Sequence, residues 1–169
     1  MSYHIYTTRS IVLSERPLRE ADRVYTVLTR DLGLVQATAL GVRKEASKLR
    51  GNIEPFSLSN VSLVRGKEYW RATSAEFIQS ISSVPAIARA LSLLEKLVQG
   101  ESHNPELFDA VLNLAVQPPS DAIDDEMFEI RLVSKILFHL GYLKEADLNL
   151  DKKELIKAIN HGLQQSHLT

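Results

Sequence analysis

Near residue 80 the hydrophobic pattern of this chain changes period, so its two halves must fold by different rules. Before that point, β-branched and apolar residues come in short runs separated by turn residues. Thr8–Leu13, Arg23–Arg30, Leu34–Leu40, Phe56–Val64 and Glu68–Ile78 are the expected strands. Gly33, following Asp31 and Leu32, supplies the positive φ that a tight hairpin demands, and Arg65-Gly66-Lys67 marks the turn between the last two strands. Five short strands in about 80 residues predict a small closed barrel, and both an OB type and an SH3-like type fit that count.

After residue 80 the period is helical. Ile87, Leu91, Leu94 and Val98 recur on one face. Asn104-Pro105-Glu106 opens a second helix with a capping amide, a proline at the first position and a carboxylate at the positive end of the dipole. Leu107, Phe108, Val111, Leu112 and Leu114 follow, and Gln117-Pro118-Pro119-Ser120 breaks the chain. A third helix from Asp125 to His139, ending near Gly141, is apolar on more than one face, which predicts a central position. Asp151 and Glu154 open a last helix in capping-box spacing, and Gly162 is expected to close it. The expected fold is therefore α+β: an N-terminal β-barrel domain over residues 1–80 and a C-terminal all-α helical domain over residues 81–169, joined near residues 79–84.

Net charge is −1, but it divides unevenly. Residues 1–80 hold twelve Lys and Arg against eight Asp and Glu, whereas residues 81–169 hold eight against thirteen. A basic half beside an acidic one points to a polyanion-facing region. There is no cysteine, which excludes disulfides and cysteine-ligated zinc. No apolar run approaches the ~20 residues needed to span a bilayer. Met1-Ser2-Tyr3-His4-Ile5 lacks the layout of a signal peptide, so a soluble cytoplasmic protein without membrane contact is expected.

The candidate chemistry lies in the basic half. Arg43, Lys44, Lys48 and Arg50 place four cations in eight residues, and Arg65, Lys67 and Arg71 add three from the last hairpin. Cations of this kind neutralise phosphates and release condensed counterions, although such a run is also an ordinary solvated loop. Tyr69-Trp70 beside Lys67 and Arg71 suits base stacking. Strand alternation puts the two rings on opposite faces, so at most one stacks, and Trp70 reads as the core residue. No phosphate-binding loop, dinucleotide fingerprint or zinc-protease motif occurs. His4, His103, His139, His161 and His167 are scattered, and Asp124-Asp125-Glu126 with Glu129 sits where a helix start accounts for it. No catalytic residue, metal ligand or cofactor is expected, and the chain reads as a non-enzyme.

Several separated motifs carry a resemblance. Ile11-Val12-Leu13, Leu18-Arg19-Glu20-Ala21-Asp22-Arg23-Val24 and Leu28-Thr29-Arg30-Asp31-Leu32-Gly33-Leu34 come first. Gly41-Val42-Arg43-Lys44, Ser47-Lys48-Leu49-Arg50-Gly51 and Glu54-Pro55-Phe56 follow. In order and spacing they resemble the opening of the RecO family of bacterial DNA-repair proteins. The likeness extends over the first 80 residues or so, and the helical half resembles the family in character, including Leu140-Gly141-Tyr142. The resemblance implies an OB-fold followed by a helical domain. It implies a recombination mediator that binds single- and double-stranded DNA, anneals complementary strands and helps the recombinase RecA load. RecR, in some pathways RecF, and the single-strand binding protein SSB are the implied partners, and the bacterial nucleoid is the implied place of action. Many relatives carry a four-cysteine zinc module after the position of Tyr142, where this chain has only Lys144 to Asn149, and longer relatives have further helices. On this reading Arg43, Lys44, Lys48, Arg50, Arg65, Lys67 and Arg71 form a DNA-binding track. The alternative is a repair-complex adaptor that has lost direct DNA binding.

Overall fold

The computed structural model describes residues 3–117 and 124–167. The chain divides into two compact units, one comprising Met1–Ile81 with Gly100–His103, the other Ser82–Gln99 with Asn104–Thr169.

The first unit is built on five strands: β1 (Ile5–Pro17), β2 (Arg23–Thr29), β3 (Gly33–Ala39), β4 (Ser57–Arg65) and β5 (Trp70–Ser80). Their order is β1-β2-β3-β5-β4, and β4 pairs back to β1, so the sheet closes into an OB-like barrel. All neighbours are antiparallel except β3 and β5, which meet in parallel at Ala37–Trp70 and Thr38–Arg71. The long β1 makes closure possible. Its first half pairs with β4 (Ile5 opposite Val64) and its second with β2 (Glu15 opposite Tyr25), with a register shift between Val12 and Ser14. Bulges of this kind bend a strand so that it can serve two neighbours.

Two strand expectations are corrected by this pairing. β1 extends well beyond Thr8–Leu13: Ile5 to Thr7 are strand formers paired to β4, and Ser14 to Pro17, of little intrinsic strand preference, are held in the strand by backbone pairing to β2. The β4–β5 turn occupies Gly66–Tyr69 rather than Arg65-Gly66-Lys67, closed by the Gly66 amide donating to the Tyr69 carbonyl at 2.9 Å. Gly33 does adopt φ +80° at the β2–β3 turn.

Val12, Val27, Val35, Val61, Leu63 and Trp70 supply much of the interior. Three further members, Val42, Leu49 and Ile53, come from the irregular segment between β3 and β4. That segment has no regular structure, yet it contributes a plug to the core.

The second unit holds α1 (Pro85–Leu97), α2 (Pro105–Val116), α3 (Asp125–His139) and α4 (Lys152–Gln165), with a 3₁₀ turn at Glu145–Asn149. α3 packs against each of the other three, the central place its apolar faces predict. The caps are those expected. The side chain of Asn104 accepts from the Leu107 amide at 3.0 Å and donates to the His139 carbonyl at 3.0 Å, and Asp151 accepts from the Glu154 amide at 2.9 Å. The acidic residues at the start of α3 are used locally: Asp124 caps the helix, Glu126 pairs with Lys152 and Glu129 with Arg89.

Gly162 does not close α4. The helix continues to Gln165, and Gly162 is buried within it, where an added Cβ would lie 3.2 Å from the Tyr142 carbonyl oxygen. Close approach, not termination, explains this glycine. Pro118, Pro119 and Ser120 of the expected chain break lie outside the described residues.

Candidate nucleic-acid interface

The 41–53 segment is shaped by its apolar residues. Val42, Leu49 and Ile53 are buried, and burial of each such side chain is worth roughly 1.5–3 kcal/mol. With those three turned inward, Arg43, Lys44, Lys48 and Arg50 between them are all exposed. The β1–β2 turn steadies the segment: Asp22 Oδ1 accepts from the Gly41 amide at 2.7 Å, and the Arg43 amide donates to the Ala21 carbonyl at 3.2 Å. Among the described residues Lys44, Lys48 and Arg50 make no ion pair.

The cations of this segment separate into neighbouring sites. Arg43 and Arg50 line a polar hollow of about 320 Å³ with Arg23, Glu15, Glu54 and Tyr25. Arg23 lies 3.8 Å from Glu15, so two carboxylates temper three guanidinium groups there. Burial, a hydrogen bond to Glu15 and the nearby carboxylates hold the Tyr25 phenol well above its ordinary ionisation range. Lys44 lines a second hollow with Asp22, Leu40 and Ser47. Lys48 lines none of the three hollows described for this unit.

The β4–β5 hairpin brings Arg65, Lys67 and Arg71 together around a cleft of about 670 Å³. Its walls include Leu40, Tyr69 and Trp70. Leu40 also borders the Lys44 hollow, so those two sites share a wall. Tyr69, in the turn, is 72% exposed, whereas Trp70, the first residue of β5, is 6% exposed and belongs to the core. Trp70 keeps polar company at its edge: its Nε1–H donates to Glu101 Oε1 at 2.7 Å, and the Arg65 guanidinium lies 5.2 Å from the ring centroid. Arg65 Nη1 also donates to Glu101 Oε2 at 2.5 Å.

The seven cations read from the sequence are thus all exposed. Arg43 and Arg50 share one hollow, Arg65, Lys67 and Arg71 share the hairpin cleft, Lys44 lines a hollow that shares Leu40 with that cleft, and Lys48 lies apart. Arg23, Leu40 and Glu101 belong to these sites and were not read from the sequence. Strand register offers the only signal for Arg23, which pairs with Ala39 beside the segment. Glu101 lies 36 positions from Arg65 and carried no local signal. Among the described residues no group of three or more His, Cys, Asp or Glu could hold a metal ion, and no helix is long and apolar enough to cross a membrane.

Residues 1–81 match the family described as Recombination protein O N terminal. A DNA repair protein RecO from Dehalococcoides mccartyi is 40% identical over 117 residues, 65% of this chain and 46% of the relative. One of the same description from Heliobacterium modesticaldum is 32% identical over 167 residues, 94% of this chain and 59% of the relative. Another from a Synechococcus species is 31% identical over 166 residues, 96% of this chain and 53% of the relative. The chain therefore spans about half the length of the curated relatives it matches. Its N-terminal match, its OB-like strand order and its likeness to these relatives together establish that the chain belongs to the RecO family.

Proposed function

We propose that this chain is a DNA repair and recombination mediator that binds single- and double-stranded DNA, promotes strand annealing and assists recombinase loading. Residues 1–80 are the proposed nucleic-acid-binding domain and residues 81–169 the proposed helical domain for partners. The observation that carries the reading is the cleft of the β4–β5 hairpin, where exposed Tyr69 stands among Arg65, Lys67 and Arg71. In OB folds the face of strands 2 and 3 and the β1–β2 and β4–β5 loops are where oligonucleotides lie. Exposed aromatics stack on unpaired bases while cations hold the phosphates on either side. Neutralising two backbones at once lowers the repulsion that opposes pairing, so annealing needs no bond made or broken in the protein. The proposed partners are RecR, RecF in some pathways, SSB and, through them, RecA, acting at the bacterial nucleoid.

A gel-shift and a strand-annealing assay, with and without SSB coating, test the proposal. Shifts of both single strands and duplex at low salt, with faster annealing, are expected. No shift at low salt would overturn it in favour of an adaptor that docks repair partners without touching DNA. The observation favouring that second reading is the pairing of Arg65 with Glu101 and the placement of Glu15 and Glu54 beside Arg23, Arg43 and Arg50.

A further inference from the structure

Glu101 is an odd residue to find at a cation site. The stretch Gly100–His103 belongs to the strand unit, although it lies in sequence between α1 and α2. Gly100 turns it with φ +74°, and the Ser102 backbone sits where a Cβ on Gly33 would come within 2.3 Å of its carbonyl oxygen. That seat fixes the carboxylate of Glu101. One oxygen takes the Arg65 guanidinium at 2.5 Å and the other takes the Trp70 indole N–H at 2.7 Å.

Two donors of fixed direction, one of them cationic, holding the two oxygens of one anion is the arrangement that also suits two oxygens of a phosphodiester. The Arg65 side chain is 61% exposed and that of Glu101 36% exposed, so the pair lies within reach of a strand. We infer that Arg65 and the indole N–H of Trp70 form a phosphodiester subsite, filled from within by Glu101 in the free protein and exchanged for a strand phosphate on binding. The inference rests on the DNA-binding reading and adds to it a specific site and an internal competitor. Exchange is chemically balanced: one anion leaves the donor pair for water as another arrives, and no proton need move. It is also energetically accessible, because an exposed ion pair of this kind contributes little beyond what water offers its members.

The exchange predicts coupling between two substitutions. Binding of an oligothymidylate strand is measured as a function of salt for the wild type, Glu101→Gln, Arg65→Gln and the double variant. Removing the competitor should tighten binding by about two- to fivefold, the value of one exposed pair. Arg65→Gln should take about 0.7 off the log-salt slope, one phosphate's share on a single strand. In the Arg65→Gln background, Glu101→Gln should gain nothing, because the site contested is gone. A gain that persists without Arg65 would reveal a general charge effect and overturn the subsite, as would no gain at all. Trp70 is the only tryptophan, so its emission should shift as a strand saturates the wild type, a readout independent of the folding of any variant. Unchanged emission at saturation would also overturn the subsite. Wild-type binding with a normal salt slope but no coupling would leave the DNA reading standing, whereas no binding by any variant would end both.

Discussion

The 41–53 segment and the 65–71 hairpin both carry cations, but they hold them by opposite means. The segment has no regular structure and depends on Val42, Leu49 and Ile53, buried in the barrel, to turn its charges outward. The hairpin is positioned by strand pairing, and it adds exposed Tyr69 and the Glu101-bound Arg65 to its cations. The difference teaches that one region offers only charge for phosphates, whereas the other combines such charge with a surface for bases. The first should grip any polyphosphate backbone and the second should favour unpaired strands.

The largest expected effect breaks the segment's anchor. Ile53→Ala should cost about 2–5 kcal/mol of stability in denaturant unfolding, as for any large-to-small change at a fully buried site. A cost near zero would mean that the segment is an ordinary loop and that its cations are not held in place. Next is the charge itself. Replacing Arg43, Lys44, Lys48 and Arg50 together with Ala should lower affinity for unrelated sequences alike, by at least about tenfold, with the slope becoming shallower by about 0.7 for each phosphate no longer neutralised. Sequence-dependent losses would contradict a backbone track.

A smaller effect separates the regions. Tyr69→Ala should weaken single-strand binding by about 1–3 kcal/mol and leave duplex binding almost unchanged, which parallel titrations would show. Equal losses on both would remove the distinction between hairpin and segment. The smallest is a pH effect at Tyr25, beside Arg43 and Arg50. An unfolded phenol ionises near 10.0, and the folded one does so only at higher pH. The unfolded state therefore holds fewer protons above pH 10, so stability should decline as pH rises past that value. Melting curves of Tyr25→Phe should show a shallower decline.

Much of this arrangement was legible in the residues, and the parts that were not share a cause. Strand centres such as Val24 to Leu28 and helix starts such as Asn104-Pro105 announce themselves, because their signals are local. The C-terminal end of β1 does not, since pairing with β2 carries Ser14 to Pro17, which have little strand preference of their own. Gly162 misleads because a helix stop and a close approach to Tyr142 require the same residue. At the site, the kinds of side chain were plain, but their grouping was not. Val42, Leu49 and Ile53 stand seven and four residues apart, a helical spacing in a segment that forms no helix, so the period alone did not indicate that they plug the barrel. Glu101 reaches Arg65 only through the fold.

The most direct test of the account is the salt dependence of single-strand binding by the wild-type chain. With about five phosphates held along the two regions, the log-salt slope should lie near −3.5. A response flat in salt would contradict the idea that these side chains carry DNA at all.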